Sequence, residues 1–322
     1  MLIASVIIVF GFLGLIWGAD KFVSGASGLA RNLGVSPLLI GLTIVAFGTS
    51  APEIFSSAVA AIQRKPELAI GNAFGSNLFN IGIALGIATL IKPLKAPKSM
   101  LHKELPALLL VTVITGILII DLQLDLLDAI LLIMITVFFI YRLLKQQVKS
   151  TKGSYEILPE TPEQESTRMK SVKAVAYLTI GLLILVISAE ALVQAASNIA
   201  EALGVSASII GLTIVALGTS LPELAASVTC VLKDQDELAI GNIVGSNILN
   251  LLAVLPFPGI FAPGLIEANL FYRDFSIVTL LTILLCFFCY RSIKREIHIG
   301  RVSGIIFLLI YCGWFTVMLN SI

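Results

Sequence analysis

Apolar residues in this chain collect in long runs, and polar residues are confined to short gaps between them. Ten runs can be marked, at approximately residues 2–18, 37–62, 68–91, 105–120, 126–141, 174–190, 204–232, 238–262, 273–290 and 302–320. Each is long enough, the shorter ones marginally, for a helix crossing a hydrocarbon core, which takes about 20 residues. The pattern predicts an all-α integral membrane protein with ten transmembrane helices. The first run follows a bare Met and ends at Ala19-Asp20-Lys21, a poor cleavage context, so it reads as a retained span and not as a signal peptide.

Composition sharpens this picture. Of 322 residues, 57% are hydrophobic and 13% charged, and the mean hydropathy is +1.01, whereas soluble domains carry about 25% charged residues. The 21 Lys and Arg nearly cancel the 20 Asp and Glu, leaving +1. No bulk basicity points to nucleic acid, and no polar stretch is long enough for a separate soluble enzyme domain. The four cysteines lie within or at the ends of apolar runs. Cys286 and Cys289, spaced C-x-x-C without a His or acid beside them, read as small core residues, and no disulfide or metal site is expected.

Lys and Arg in the gaps give an orientation. With the N-terminus outside, eighteen of the 21 basic residues fall in inner connections. Arg64, Lys65 and Arg273 fall outside. The C-terminus is then also outside, and the connection 143–173 is cytoplasmic. The membrane implied is the cytoplasmic one. That connection contains Glu156, Pro159, Glu160, Pro162, Glu163 and Glu165 without apolar periodicity, as expected of a flexible linker.

A shift of 170 residues aligns GLTIVAFGTSAPEI (Gly41 to Ile54) with GLTIVALGTSLPEL (Gly211 to Leu224), and ELAIGNAFGSNLFN (Glu67 to Asn80) with ELAIGNIVGSNILN (Glu237 to Asn250). From Gly34 to Asn80, 26 of 47 positions are identical without a gap. Five spans separate corresponding points. An odd number requires the second copy to enter the bilayer upside down, giving two inverted-topology five-helix repeats, residues 1–142 and 174–322, in one membrane unit. Secondary transporters built this way hold substrate near the midplane, between the halves.

Away from span ends, Glu53 and Glu223 are the only ionisable residues in the ten runs, at matched positions of the repeat. A carboxylate at bilayer depth costs on the order of 3 kcal/mol and usually marks an ion path. Pro52 and Pro222 precede them and remove a helix hydrogen bond, which predicts local unwinding that turns the backbone oxygens of Ala46 to Thr49 and Ala216 to Thr219 inward. Asn72, Ser76 and Asn80 recur every four residues on one helix face, as do Asn242, Ser246 and Asn250, each stripe covering about 12 Å of axis. Asn77 and Asn247 lie off these stripes, in a position to brace them. Carboxylate, hydroxyl, amide and carbonyl oxygens without imidazole or thiolate suit hard cations, sodium or calcium. Two glutamates give a cavity of about −2, neutralised by one divalent or two monovalent ions. Crossing empty is then costly and crossing loaded is cheap, the asymmetry of an exchanger. Protons compete for the same carboxylates, so transport is expected to fall on acidification.

The doubled GTSxPE and GSNxxN segments resemble the alpha repeats of the calcium/cation antiporter superfamily, and the ten-span layout is similar to short prokaryotic members of its sodium/calcium exchanger branch. The resemblance covers nearly the whole chain. It implies electrogenic exchange of several sodium ions for one calcium at sites arranged as a diamond between the second, third, seventh and eighth helices. Carried over, the calcium ligands are Glu53, Glu223 and the carbonyls of Thr49 and Thr219. Sodium sites add Ser50, Ser76, Ser220, Ser246 and the carbonyls of Ala46 and Ala216, with Asn80 and Asn250 in the middle. The resemblance also implies that the first and sixth helices slide as a gating pair, with Gly14 and Gly18 permitting close contact. One departure stands out: members of the branch often carry aspartate where this chain has Asn250, so the cavity lacks a third acid. Obligatory potassium co-transport, which uses acids in these stripes, is not expected.

Asp20 and Glu190 match at span ends, and Asp121, Asp125 and Asp128 cluster in an outer loop; such acids can attract cations, but interfacial solvation or helix N-terminal charge is the favoured reading. His102 and His298 lie in separate basic loops and give no chemical signal. Calcium/proton exchange is the main alternative within transport. A passive channel would line its pore with the same oxygens but pass ions without a counter-ion. An intramembrane hydrolase using Ser50 or Ser220 lacks a Lys or His at membrane depth to activate the hydroxyl. No cofactor and no obligate protein partner is expected beyond the ions, with protons as competitors, and the lipid bilayer.

Overall fold

The computed structural model describes residues 2–152, 169–204, 214 and 216–320. Its helices are α1 (Leu2–Leu33), α2 (Pro37–Thr49), α3 (Ala51–Ile62), α4 (Pro66–Ile91), α5 (Lys98–Leu118), α6 (Leu126–Lys152), α7 (Ser171–Ala202), α8 (Leu221–Leu232), α9 (Asp236–Phe261), α10 (Leu270–Arg295) and α11 (Arg301–Asn320). Among the described residues, eight helices are long and apolar enough to cross a bilayer, and α2 and α3, bent by 45° where they meet, pass the same test as a pair. Of the expected span 204–232, residues 205–213 and 215 lie outside the described residues. The remainder is a short helix, Ala216–Gly218, followed by α8. The acids of the linker, Glu156 to Glu165, also lie outside the described residues.

Prolines start the inner helices. Pro37, with Ser36 as N-cap accepting the Leu39 N–H at 3.3 Å, opens α2, and Pro66 opens α4. At these positions the missing N–H would have had no helical partner. The helices sort by burial. In α9, 94% of the apolar window is inside the protein and in α4 72%, against 28% in each of α1 and α7, so α4 and α9 are the core and the other two lie on its flank.

α1 packs lengthwise against α7 in an antiparallel sense: Gly11 meets Leu192, Gly18 meets Leu185 and Gly28 meets Ala174. A methyl group at Gly18 would stand 2.8 Å from the backbone nitrogen of Leu185, so the two backbones nearly touch. α2 lies equally close to α9, where a Cβ at Gly41 would be 2.7 Å from the Leu238 carbonyl.

Two expectations need correction. α1 and α7 are 32 residues each, far longer than 2–18 and 174–190. Asp20 and Lys21 do not end the first helix, because Lys233 reaches Asp20 at 2.6 Å and the Ser24 hydroxyl at 2.6 Å and pairs the charge from a neighbouring element. Nor does the second span unwind over Ala46 to Thr49. That stretch stays α-helical after a π-helical turn at Gly41–Val45, and the chain bends at Ser50. The Ala46 carbonyl accepts the Ser50 N–H at 2.9 Å. Because Pro52 falls in the first turn of α3, its missing N–H coincides with a helix start and leaves the preceding turn intact.

The connections meet in two groups. Lys92 pairs with Asp234, the Lys95 N–H donates to Asp236 at 2.9 Å, Lys98 pairs with Glu296 at 2.7 Å, and Lys233 pairs with Asp20. Separately, β1 (Gln123–Leu124) and β2 (Gly264–Leu265) form a two-stranded antiparallel ladder.

Candidate functional site

Glu53 lies in the first turn of α3 and Glu223 in the first turn of α8, where helix amides favour an anionic side chain. Both are fully buried, at 0% and 1% exposure, so neither faces lipid. The serine before each helix reaches across to the acid of the other repeat. Ser50 Oγ donates to Glu223 Oε1 at 3.0 Å, and Ser220 Oγ donates to Glu53 Oε1 at 2.9 Å. Ser76, from α4, donates to the same Glu53 oxygen at 3.5 Å and lies 3.2 Å from Ser220 Oγ. Thr49 Oγ1 lies 3.1 Å from both the Val45 carbonyl and Asn242 Oδ1.

The midpoints of α4 and α9 are joined by four asparagines. Asn77 Nδ2 donates to the Asn247 carbonyl at 3.2 Å, Asn80 Nδ2 donates to Asn247 Oδ1 at 3.1 Å, and Asn250 Nδ2 donates to Asn77 Oδ1 at 3.1 Å. Asn80 and Asn250 each begin a π-helical turn, Asn80–Leu85 and Asn250–Val254, so the same widening recurs at matched positions. With their nitrogens engaged, Asn80 and Asn250 have Oδ1 atoms that no donor meets.

Five buried oxygens of this region have no hydrogen-bond partner: Glu53 Oε2, Glu223 Oε2, Asn80 Oδ1, Asn250 Oδ1 and Ser246 Oγ. A buried polar atom without a partner costs about 1–3 kcal/mol, more when charged. A cation satisfies acceptors concentrated in this way, as do protons on the carboxylates or water. Among the described residues no three His, Cys, Asp or Glu side chains come together. The donors here are two carboxylates with neutral oxygens, a set suited to a hard ion.

A profile for the family described as sodium/calcium exchanger protein matches residues 3–145 and 173–320. The chain belongs to the sodium/calcium exchanger family. Its relatives include the putative antiporter CaxA of Alkalimonas amylolytica, 40% identical with all of both chains covered, and the sodium/calcium exchanger MaX1 of Methanosarcina acetivorans, 30% identical over 97% of each. Among solved structures, the sodium-calcium exchanger NCX_Mj superimposes with a TM-score of 0.83 at 31% identity, covering 98% of each chain. The protein is thus a multi-pass membrane transporter of a cation antiporter family.

In this family member, two hydrogen-bonded sets span the halves, Ser50 with Glu223, and Ser220 and Ser76 with Glu53. Asn80 and Asn250 meet in the amide cluster, and Thr49 donates separately to Asn242. Ser246 is buried, Ala216 opens the short helix before α8, and Thr219 sits in the turn that follows. Sequence reasoning missed Ser57 and Ser227. Asn72 Nδ2 donates to Ser57 Oγ at 2.8 Å and to the Glu53 carbonyl at 3.1 Å, and Asn242 Nδ2 donates to Ser227 Oγ at 3.2 Å. The signal was available: a serine follows each glutamate by four residues in both copies, on the same helix face.

Proposed function

We propose that this antiporter exchanges sodium for calcium across the cytoplasmic membrane by alternating access at a midplane site. The observation that carries the reading is the set of five unpartnered buried oxygens on Glu53, Glu223, Asn80, Asn250 and Ser246. In this reading calcium is held by Glu53, Glu223 and the carbonyls of Thr49 and Thr219. Sodium ions use Ser50, Ser76, Ser220, Ser246 and the Ala46 and Ala216 carbonyls, with Asn80 and Asn250 between them. The Ala46 carbonyl already accepts the Ser50 N–H at 2.9 Å, and the Thr49 hydroxyl lies 3.4 Å from it, so an ion there competes with that hydroxyl. The likeness to MaX1 and NCX_Mj, both sodium/calcium exchangers by name, favours the sodium and calcium pair.

The architecture proposed with it is ten transmembrane helices in two inverted repeats, 1–142 and 174–322, joined by a cytoplasmic linker at 143–173, with both termini outside. Support comes from α1 and its counterpart α7, which run in opposite directions. It comes also from the two groups of connections, which sort as that span order requires. The basic group is the one the charge bias assigns to the cytoplasm.

Radioactive calcium uptake into reconstituted vesicles, with and without an outward sodium gradient, tests the coupling. Sodium-driven uptake that disappears in Glu53→Gln and Glu223→Gln is expected. Uptake driven by a proton gradient without sodium would reassign the chain to calcium/proton exchange, and uptake needing no counter-ion would make it a channel.

A further inference from the structure

Beyond the transport site, a cavity of about 470 Å³ opens between the end of α10 and the start of α11. Its polar lining is Arg291 from α10, His298 from the connecting loop, and Arg301 and Ser303 from the first turn of α11, beside the apolar Phe288 and Val302. No acid lines it. The loop's own acid, Glu296, is drawn to Lys98 at 2.7 Å, and among the described residues neither Arg291 nor Arg301 has an ion-pair partner. Arg301 is anchored by its Nε, which donates to the Leu90 carbonyl at 3.2 Å. The loop is fixed by a two-bond bridge to the chain after α4, Leu94 N–H to the Ile299 carbonyl at 3.0 Å and Ile299 N–H to the Leu94 carbonyl at 2.7 Å. The cavity is therefore built on a braced backbone. α11 is 20 residues long and begins at the mouth, so its first amides add partial positive charge there.

The same two helices present exposed apolar side chains outward, Phe287 at 53% and Val302 at 71%. Basic groups on a braced pocket beside an apolar outer face match a ligand with an anionic head and hydrocarbon tails. We propose that this cavity binds the phosphate headgroup of an anionic phospholipid, with its acyl chains on the outer faces of α10 and α11. Charge complementarity selects an anionic over a zwitterionic lipid, and the apolar flank selects a lipid over free phosphate.

The test uses the full chain in neutral detergent, with phosphatidylglycerol, phosphatidylcholine of the same acyl chains, or inorganic phosphate added, and reads bound lipid by native mass spectrometry and stability by thermal melting. Wild type is expected to retain phosphatidylglycerol about tenfold over phosphatidylcholine, and the Arg291→Gln/Arg301→Gln double variant to lose about that factor. Lys103→Gln, a basic position of α5 outside the cavity, is expected to keep it. Equal retention of the two lipids by wild type would overturn the proposal whatever the variants do, as would undiminished phosphatidylglycerol binding in a double variant that elutes as wild type. A melt shift reproduced by inorganic phosphate alone would mark a soluble-phosphate site and overturn the lipid assignment. None of these readouts involves ion transport, so they stand apart from the antiport reading.

Discussion

Glu53→Gln separates the two roles a buried acid can have, structural partner or ion ligand. In the protein, Glu53 Oε1 accepts from Ser220 at 2.9 Å and from Ser76 at 3.5 Å, whereas Oε2 has no partner. A glutamine keeps an oxygen for both serines and places its nitrogen where the unpartnered oxygen was, so the internal hydrogen bonds survive. What is lost is one negative charge. At an effective dielectric of about 20, unit charges 4 Å apart interact by about 4 kcal/mol, so a divalent ion forfeits about 8 kcal/mol gross. The serine hydroxyls already stabilise that charge in the ion-free site and loosen when an ion arrives, which takes back several kcal/mol of the gross figure. A net loss on the order of 4 kcal/mol is about a thousandfold in calcium affinity. Calcium at a hundred times its wild-type Kd raises unfolding free energy by about 2.7 kcal/mol, and at the same concentration the variant should gain essentially nothing. The assay is thermal melting of the solubilised protein in chelator and in calcium, alongside vesicle uptake. In chelator the variant should melt no lower than wild type. A wild-type calcium shift in Glu53→Gln, or a large loss of stability in chelator, would refute the reasoning, the first by removing the ligand role and the second by making the acid structural.

Ser220→Ala removes the shorter hydrogen bond to Glu53 and should weaken cation affinity about tenfold to a hundredfold, since hydrogen bonds to charged groups contribute about 1.5–3 kcal/mol, with the half-saturating calcium concentration as the readout. Gly18→Leu forces α1 away from the Leu185 backbone and should cost about 1–3 kcal/mol by overpacking, yet the calcium-dependent melt shift should persist because α1 supplies no site residue; a vanished shift would tie α1 to the site. Protons and cations compete for Glu53 and Glu223, so the half-saturating calcium concentration should rise as the pH falls, and a value unchanged over the acid range would contradict shared use of the carboxylates. Lys233→Gln should change the melting free energy by less than about 1 kcal/mol, since the Lys233 and Asp20 side chains are 31% and 42% exposed, and a larger loss would show that the pair is not a surface contact.

Much of the site was readable from the chain because the duplication displays it twice. A lone Glu53 in an apolar run is ambiguous, but Glu53 and Glu223 with the same serines and asparagines around them constrain each other. What the chain did not disclose depends on neighbours far away in sequence. Helix length was underestimated at Asp20 because hydropathy reports where the hydrocarbon ends, whereas a helix ends where its backbone loses partners, and Lys233 keeps Asp20 tolerable there. The bend was expected as an unwound stretch before Pro52. It is a corner at Ser50 because a proline at a helix start breaks nothing behind it. The cross-repeat hydrogen bonds from Ser50 and Ser220 were hidden for the same reason, since local spacing cannot tell which acid a serine will meet.

The amide clasp of Asn77, Asn80, Asn247 and Asn250 fastens α4 to its own duplicate at the point where the two cross. A fastening between twin parts acts like the pin of a pair of scissors: neither blade can shift there without dragging the other. Under the proposed alternating access the halves stay joined at this pin, and damage to it should loosen the timing between the two openings before it spoils the grip on the ion.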